Sequence, residues 1–148
     1  MARIRLISKQ KTSRINRAAQ LAAATVDLSL YCRDLERWPR SWMGVEKDVP
    51  PGEELVACFL PFIEHLACSG LSPKTIRRHI DNLWLLGGEI IRDLNFDPSL
   101  RKVPADRLVA KVVHEDGGPL LYNGSEEEQR SFDATCRKLH RFRSQSQA

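Results

Sequence analysis

A chain of 148 residues, 42% of them apolar, is long enough for one domain with a real core and too apolar to be disordered throughout. It holds 23 Lys and Arg against 19 Asp and Glu, a net charge of +4 with a pI near 9.0, which permits an anionic partner without demanding one. No apolar run reaches the roughly 18 residues of a membrane span, and the N-terminus lacks the apolar stretch of a secretory signal, so a cytoplasmic protein with no membrane partner is expected.

Residues 1–14 form the first segment, a basic arm expected to be flexible. Arg3, Arg5, Lys9, Lys11, Arg14 and Arg17 accompany no acid through residue 17. Such an arm contacts phosphates or is a solvated tail; a mitochondrial presequence, ranked below these, has the same look. A single helical domain is expected over 15–143, followed by a polar tail at 144–148.

The first long helix is predicted over 15–37. Leu21, Thr25, Leu28, Cys32 and Leu35 recur at spacings of 4, 3, 4 and 3, behind an alanine-rich start. Pro39 ends it, because the residue before a proline avoids the helical region. Residues 38–52 read as a connector in which Trp38 and Trp42 flank a proline. Both rings either cap the core or, with Trp84, form an aromatic surface for a protein partner.

A second helix is predicted from Glu53 to Cys68, with Leu55, Phe59, Phe62 and Leu66 as its stripe and Pro61 as a kink or break. Four buried free thiols are expected, at Cys32, Cys58, Cys68 and Cys136, each on or near a predicted apolar helix face. Cys58, His65 and Cys68 lack the second ligand pair of a structural zinc site, so no metal and no cofactor is expected.

Ser72 and Pro73 then open the central helix. The serine hydroxyl suits an N-cap, and a proline loses nothing at the first helical position. Ile76, Ile80, Leu83, Gly87, Ile90 and Leu94 follow at spacings of 4, 3, 4, 3 and 4. Trp84 and Ile91 widen this apolar seam, and Lys74, Arg77, Arg78 and Arg92 lie largely off it. A glycine on a seam costs about 1 kcal/mol relative to alanine, so Gly87 predicts close approach by another helix, or else a kink.

Asp97-Pro98 starts a short helix or turn, and Val103-Pro104 opens a further helix carrying Leu108, Val109, Val112 and Val113. Asp116 to Pro119 breaks the chain, Leu120 to Tyr122 is briefly extended, and Asn123-Gly124 turns it. Ser125 and Glu128 make a capping box for the last helix, with Phe132, Cys136 and Leu139 inward. Arg137, Lys138, Arg141 and Arg143 crowd its C-terminal half, the end of a helix that favours cations. The fold class is therefore all-α, a bundle of four to five helices.

Phe62 and Leu66, then Gly70-Leu71-Ser72 with Thr75 and Ile76, then a long helix with Leu83, together resemble the core-binding domain of tyrosine recombinases of the phage-integrase type. Asp97-Pro98 looks like the Asn-Pro that often follows that helix. Pro119, Leu120, Leu121, Gly124, Ser125, Glu126 and Glu128 are similar to the entry into the catalytic domain. The likeness spans roughly 53–130. His79 stands where the family has an aromatic residue, residues 84–88 are atypical, and the catalytic half has no counterpart. The resemblance implies a helical clamp on duplex DNA, with Ser72, Lys74, Thr75, Arg77 and Arg78 near the phosphates and Arg14 and Arg17 on the arm. A mobile-element setting goes with it. The residue-level alternative is a cap at Ser72 with solvated cations around it.

Catalysis is not expected. His140 and Arg143 match a recombinase His-x-x-Arg fragment, but Tyr31 and Tyr122 both precede it and no tyrosine follows as nucleophile. No phosphate-binding glycine loop and no nucleophile elbow occurs, and no small-molecule substrate is expected. Two expectations remain: a non-catalytic DNA-binding protein, or a helical protein-interaction module.

Overall fold

The computed structural model of the chain describes residues 3–5 and 25–146. Arg3–Arg5 (β1) pairs antiparallel with Thr25–Asp27 (β2), Ile4 lying opposite Val26. Five α-helices follow: Trp38–Trp42 (α1), Val49–Ala67 (α2), Pro73–Phe96 (α3), Ala105–Val112 (α4) and Glu126–Ser146 (α5). Short 3₁₀ turns join them. The architecture is the expected all-α bundle, with the β1–β2 ribbon as an addition. Among the described residues no helix is long and apolar enough to cross a membrane.

The predicted first helix is corrected from Thr25 onward; residues 15–24 lie outside the described residues. Thr25–Asp27 is a strand, and Leu28–Leu30 and Leu35–Arg37 are 3₁₀ turns. The Asp27 carboxylate accepts from the Ser29 N–H at 3.0 Å, a local bond that competes with helix propagation. Leu28, Cys32 and Leu35 are all buried nonetheless. Two tight turns deliver the same side chains to the core that a helix would have delivered.

α2 begins four residues before the predicted Glu53 start, because Pro50 and Pro51 fit its first turn, where N–H groups have no helical partner. It runs unbroken through Pro61. Proline cannot bond the carbonyl four residues back, but both Pro61 and Ala57 are exposed, so water can satisfy that carbonyl. Leu55, Phe59, Phe62 and Leu66 are buried as the stripe predicts.

α3 is the axis of the bundle. Its seam from Ile76 to Leu94 is buried throughout, Gly87 included. The approach expected at Gly87 is made by the Trp42 ring of α1, which fills the space beside the glycine. The Trp42 indole N–H donates to the Trp84 carbonyl at 2.9 Å, anchoring the ring on the α3 backbone.

A second anchor joins the α1–α2 connection to the end of α3. The Asp48 side chain is wholly buried and accepts from the Gly44 and Val45 N–H groups at 2.7 and 3.1 Å. It also accepts from Asn95 at 3.0 Å and from the Arg101 guanidinium at 2.7 Å. Burial alone would raise its pKa; the Arg101, Asn95, Gly44 and Val45 bonds together outweigh burial and hold it down at about 2.

Beyond α3, Asp97 caps a 3₁₀ helix, Pro98–Lys102, as the Asp-Pro pair predicts. Residues 120–122 form no strand. The Ser125–Glu128 capping box is present in both directions, at 2.9 and 3.0 Å. α5 then continues to Ser146, into the stretch read as a tail.

Candidate nucleic-acid interface

The start of α3 is built as its residues dictate. Ser72 is extended at φ −66° and ψ 151°, and its hydroxyl accepts from the Thr75 N–H at 3.2 Å. Such a cap is worth about 1 kcal/mol. Ser72 Oγ also bonds Thr75 Oγ1 at 3.0 Å, so both hydroxyls are already engaged with each other. Lys74, Arg77 and Arg78 are exposed, and Thr75 is half-buried. Arg77 donates to the Leu30 carbonyl at 3.1 Å, which ties the α3 start to the turn after β2. Arg14 and Arg17 lie outside the described residues.

The arrangement of α5 supplies what residue spacing could not. A polar seam joins α3 to α5. Asn82 donates to the Ser131 carbonyl and hydroxyl, both at 3.1 Å, and to Thr135 Oγ1 at 2.9 Å. His79 Nδ1 lies 2.7 Å from the same Thr135 hydroxyl. Burial first, then the nearby charges of Arg78 and Lys138, push the His79 pKa down to about 4. The ring is therefore neutral at pH 7.

Rising numbers on α3 meet falling numbers on α5, so the two helices run antiparallel. The basic C-terminal half of α5 consequently lies beside the basic N-terminal start of α3. Arg78 and Lys138 stand close enough to act on one imidazole. The salt bridges among the described residues are Arg40–Glu46, Arg92–Glu89, Arg101–Asp48 and Arg143–Asp106. Lys74, Arg77, Arg78, Arg137, Lys138 and Arg141 enter none of them. Helix-dipole stabilisation accounts for cations at the end of α5, but not for their placement against a second cationic helix end.

Arg143 is used differently. Its guanidinium bonds the Asp106 carbonyl and carboxylate, both at 3.0 Å, joining α5 to α4. The expected burial of all four thiols is corrected: Cys32 and Cys136 are buried, and burial pushes their pKa values up to about 11 and about 12, but Cys58 is half-buried and Cys68, at the end of α2, is exposed. Among the described residues no group of three or more His, Cys, Asp or Glu side chains is placed to hold a metal ion.

Of the three tryptophans read as partner anchors, Trp38 is buried and Trp42 is seated on Gly87. Their rings meet at 5.7 Å and 54°, as the core-capping reading has it. Trp84 is 39% exposed.

No protein-family model matches the sequence, and no curated protein and no solved structure is detectably similar to it.

Proposed function

We propose that this chain is a non-catalytic DNA-binding protein that grips the phosphate backbone of a duplex. The observation that carries the reading is the antiparallel apposition of the α3 start with the α5 end. It sets Arg78 and Lys138 within electrostatic range of the same His79 ring, with Lys74, Arg137 and Arg141 nearby on the same two helices and none of these in an ion pair among the described residues. Unpaired Lys and Arg neutralise phosphates, and the N–H groups of the first α3 turn favour an anion. Contacts of this kind position a duplex without reading its sequence. A stand-alone recombinase core-binding domain, serving a mobile element, is the class that the Gly70–Ile76 resemblance suggests for such a face.

The test is the affinity of the full chain for a labelled duplex at two salt concentrations, followed by fluorescence anisotropy. Binding that falls steeply with salt is expected. No binding at low salt overturns the proposal.

A second reading, a helical protein-interaction module, draws on a different surface. Phe96 and Tyr122 are 75% and 64% exposed, and the Arg92 guanidinium lies 3.9 Å from the Tyr122 ring centroid. Aromatic residues and arginine are the usual anchors of protein interfaces. Light scattering after size exclusion, with and without Tyr122→Ala, tests this reading: a strict monomer in both removes self-association from it.

A further inference from the structure

A groove of opposite character lies beside the middle of α3. Asp81, Trp84 and Leu85 share one helix face by their spacing. Tyr31, Cys32, Asp34 and Trp38 complete an open groove with them, of about 520 Å³. That volume falls within the range of small-molecule sites. The walls are aromatic: Trp38 is buried, Tyr31 half-buried, and Trp84 presents an exposed ring. Trp84 is held in place, since its indole N–H donates to Ser41 Oγ at 2.9 Å and Ser41 donates to the Trp38 carbonyl at 2.7 Å. Its π face is set before any ligand arrives.

Two carboxylates, Asp34 and Asp81, share this groove. Neither enters a salt bridge among the described residues. Asp34 receives a weak bond from the Cys32 thiol at 3.6 Å. Burial raises the Asp81 pKa and the Asp34 charge raises it further, against the opposing charge of Arg77. The two anions therefore feel each other across the groove. Arg33 also lines it and pairs with neither acid. Two carboxylates in no salt bridge among the described residues, in a groove that Trp84 and Tyr31 also line, favour a cation with an apolar shell, because the rings add cation–π attraction that a hydrated metal ion gains far less from.

The geometry points to this groove as a binding site for an organic ammonium group, held between the faces of Trp84 and Tyr31 and neutralised by Asp34 and Asp81. The ammonium belongs to a small free amine or to a lysine side chain of a partner. None of the lining residues belongs to the phosphate-binding face, although the Arg77 charge reaches Asp81.

The test uses the full chain, titrated calorimetrically with tetramethylammonium chloride and with Nα-acetyl-lysine amide, against sodium chloride at matched ionic strength. Tryptophan fluorescence is followed in parallel. Saturable binding of at least one ammonium, and none of sodium, is expected. Tighter tetramethylammonium binding assigns the site to a small quaternary amine, and tighter lysine amide binding to a lysine side chain. Asp34→Asn with Asp81→Asn is expected to weaken either by about tenfold, and Trp84→Leu to weaken tetramethylammonium by a similar factor. Both aspartates are exposed, so their replacement tests the site even where loss of Trp84 perturbs folding. The absence of saturable binding for both ammonium compounds overturns the inference, as does undiminished affinity in the double asparagine variant.

Discussion

The ring of Trp42 occupies the space where a side chain on Gly87 would stand. One helix is thereby locked to another through a missing Cβ. Gly87→Ala is expected to destabilise the chain by about 2 kcal/mol, since overpacking costs about 1–3 kcal/mol and the ring is pinned by its bond to the Trp84 carbonyl. Gly88→Ala is the control. Its Cβ would meet Trp42 no closer than 3.4 Å, so the helix-propensity gain of up to about 1 kcal/mol is expected to appear instead. Urea unfolding of the two variants gives opposite signs on this account.

Asp48 sets the acid limit of the fold. Its folded pKa of about 2 lies below the usual 3.8, so its contribution is fully present above about pH 4 and is lost as pH falls toward 2. The amount is about 2 kcal/mol. Asp48→Asn is expected to lower stability at pH 7 and to flatten its dependence across that window, measured by urea midpoints from pH 2 to 5.

His79 and Glu64 act in opposite directions over an overlapping range. The depressed pKa of His79, about 4 against 6.5, makes its contribution complete above pH 6.5 and lost as pH falls toward 4. Glu64 has a buried carboxylate oxygen, Oε2, with no hydrogen-bond partner among the described residues, and burial raises its pKa to about 7. Its stability contribution is complete below its ordinary 4.5 and is lost as pH rises through 7. Between pH 4.5 and 6.5 the two contributions therefore oppose each other. His79→Gln is expected to reveal the Glu64 slope, with stability falling as pH rises from 4.5 to 7, and Glu64→Gln to reveal the His79 slope, with stability falling as pH drops.

Thiol chemistry checks the burial pattern. Cys68 is exposed, whereas Cys32 and Cys136 are buried with raised pKa values. A thiol reagent at pH 8 is expected to modify Cys68 quickly, Cys58 more slowly, and Cys32 and Cys136 only after unfolding. Mass spectrometry of the labelled peptides gives the order.

The helical seam was readable because its information is local: Ser72 and Pro73 start α3, and apolar spacing fixes its inner face. The close approach at Gly87 was readable because a glycine on a seam needs a physical reason, although the ring that supplies it lies 45 residues earlier. The stretch from Thr25 to Arg37 carries a helical apolar spacing without a helix, because a strand and two 3₁₀ turns bury Leu28, Cys32 and Leu35 as one helix would. The polar seam of His79 and Asn82 has no local signal, because Thr135 and Ser131 reach them from the last helix. The same distance hid Asp48 from Arg101. The cations of α5 carried a sufficient local explanation in the helix dipole, and only the antiparallel placement of α3 and α5 sets them beside Arg78.

The most direct test of that placement compares two double variants of equal net charge. Arg78→Ala with Lys138→Ala removes the paired cations, whereas Arg107→Ala with Lys111→Ala removes two exposed cations of α4. Affinity for duplex DNA is measured for each across a salt series. The account predicts that the first pair lowers the salt slope by about 2 and weakens low-salt binding severalfold, while the second leaves both near wild type. Equal losses in the two variants would mean that net charge alone drives association, and would contradict the interface.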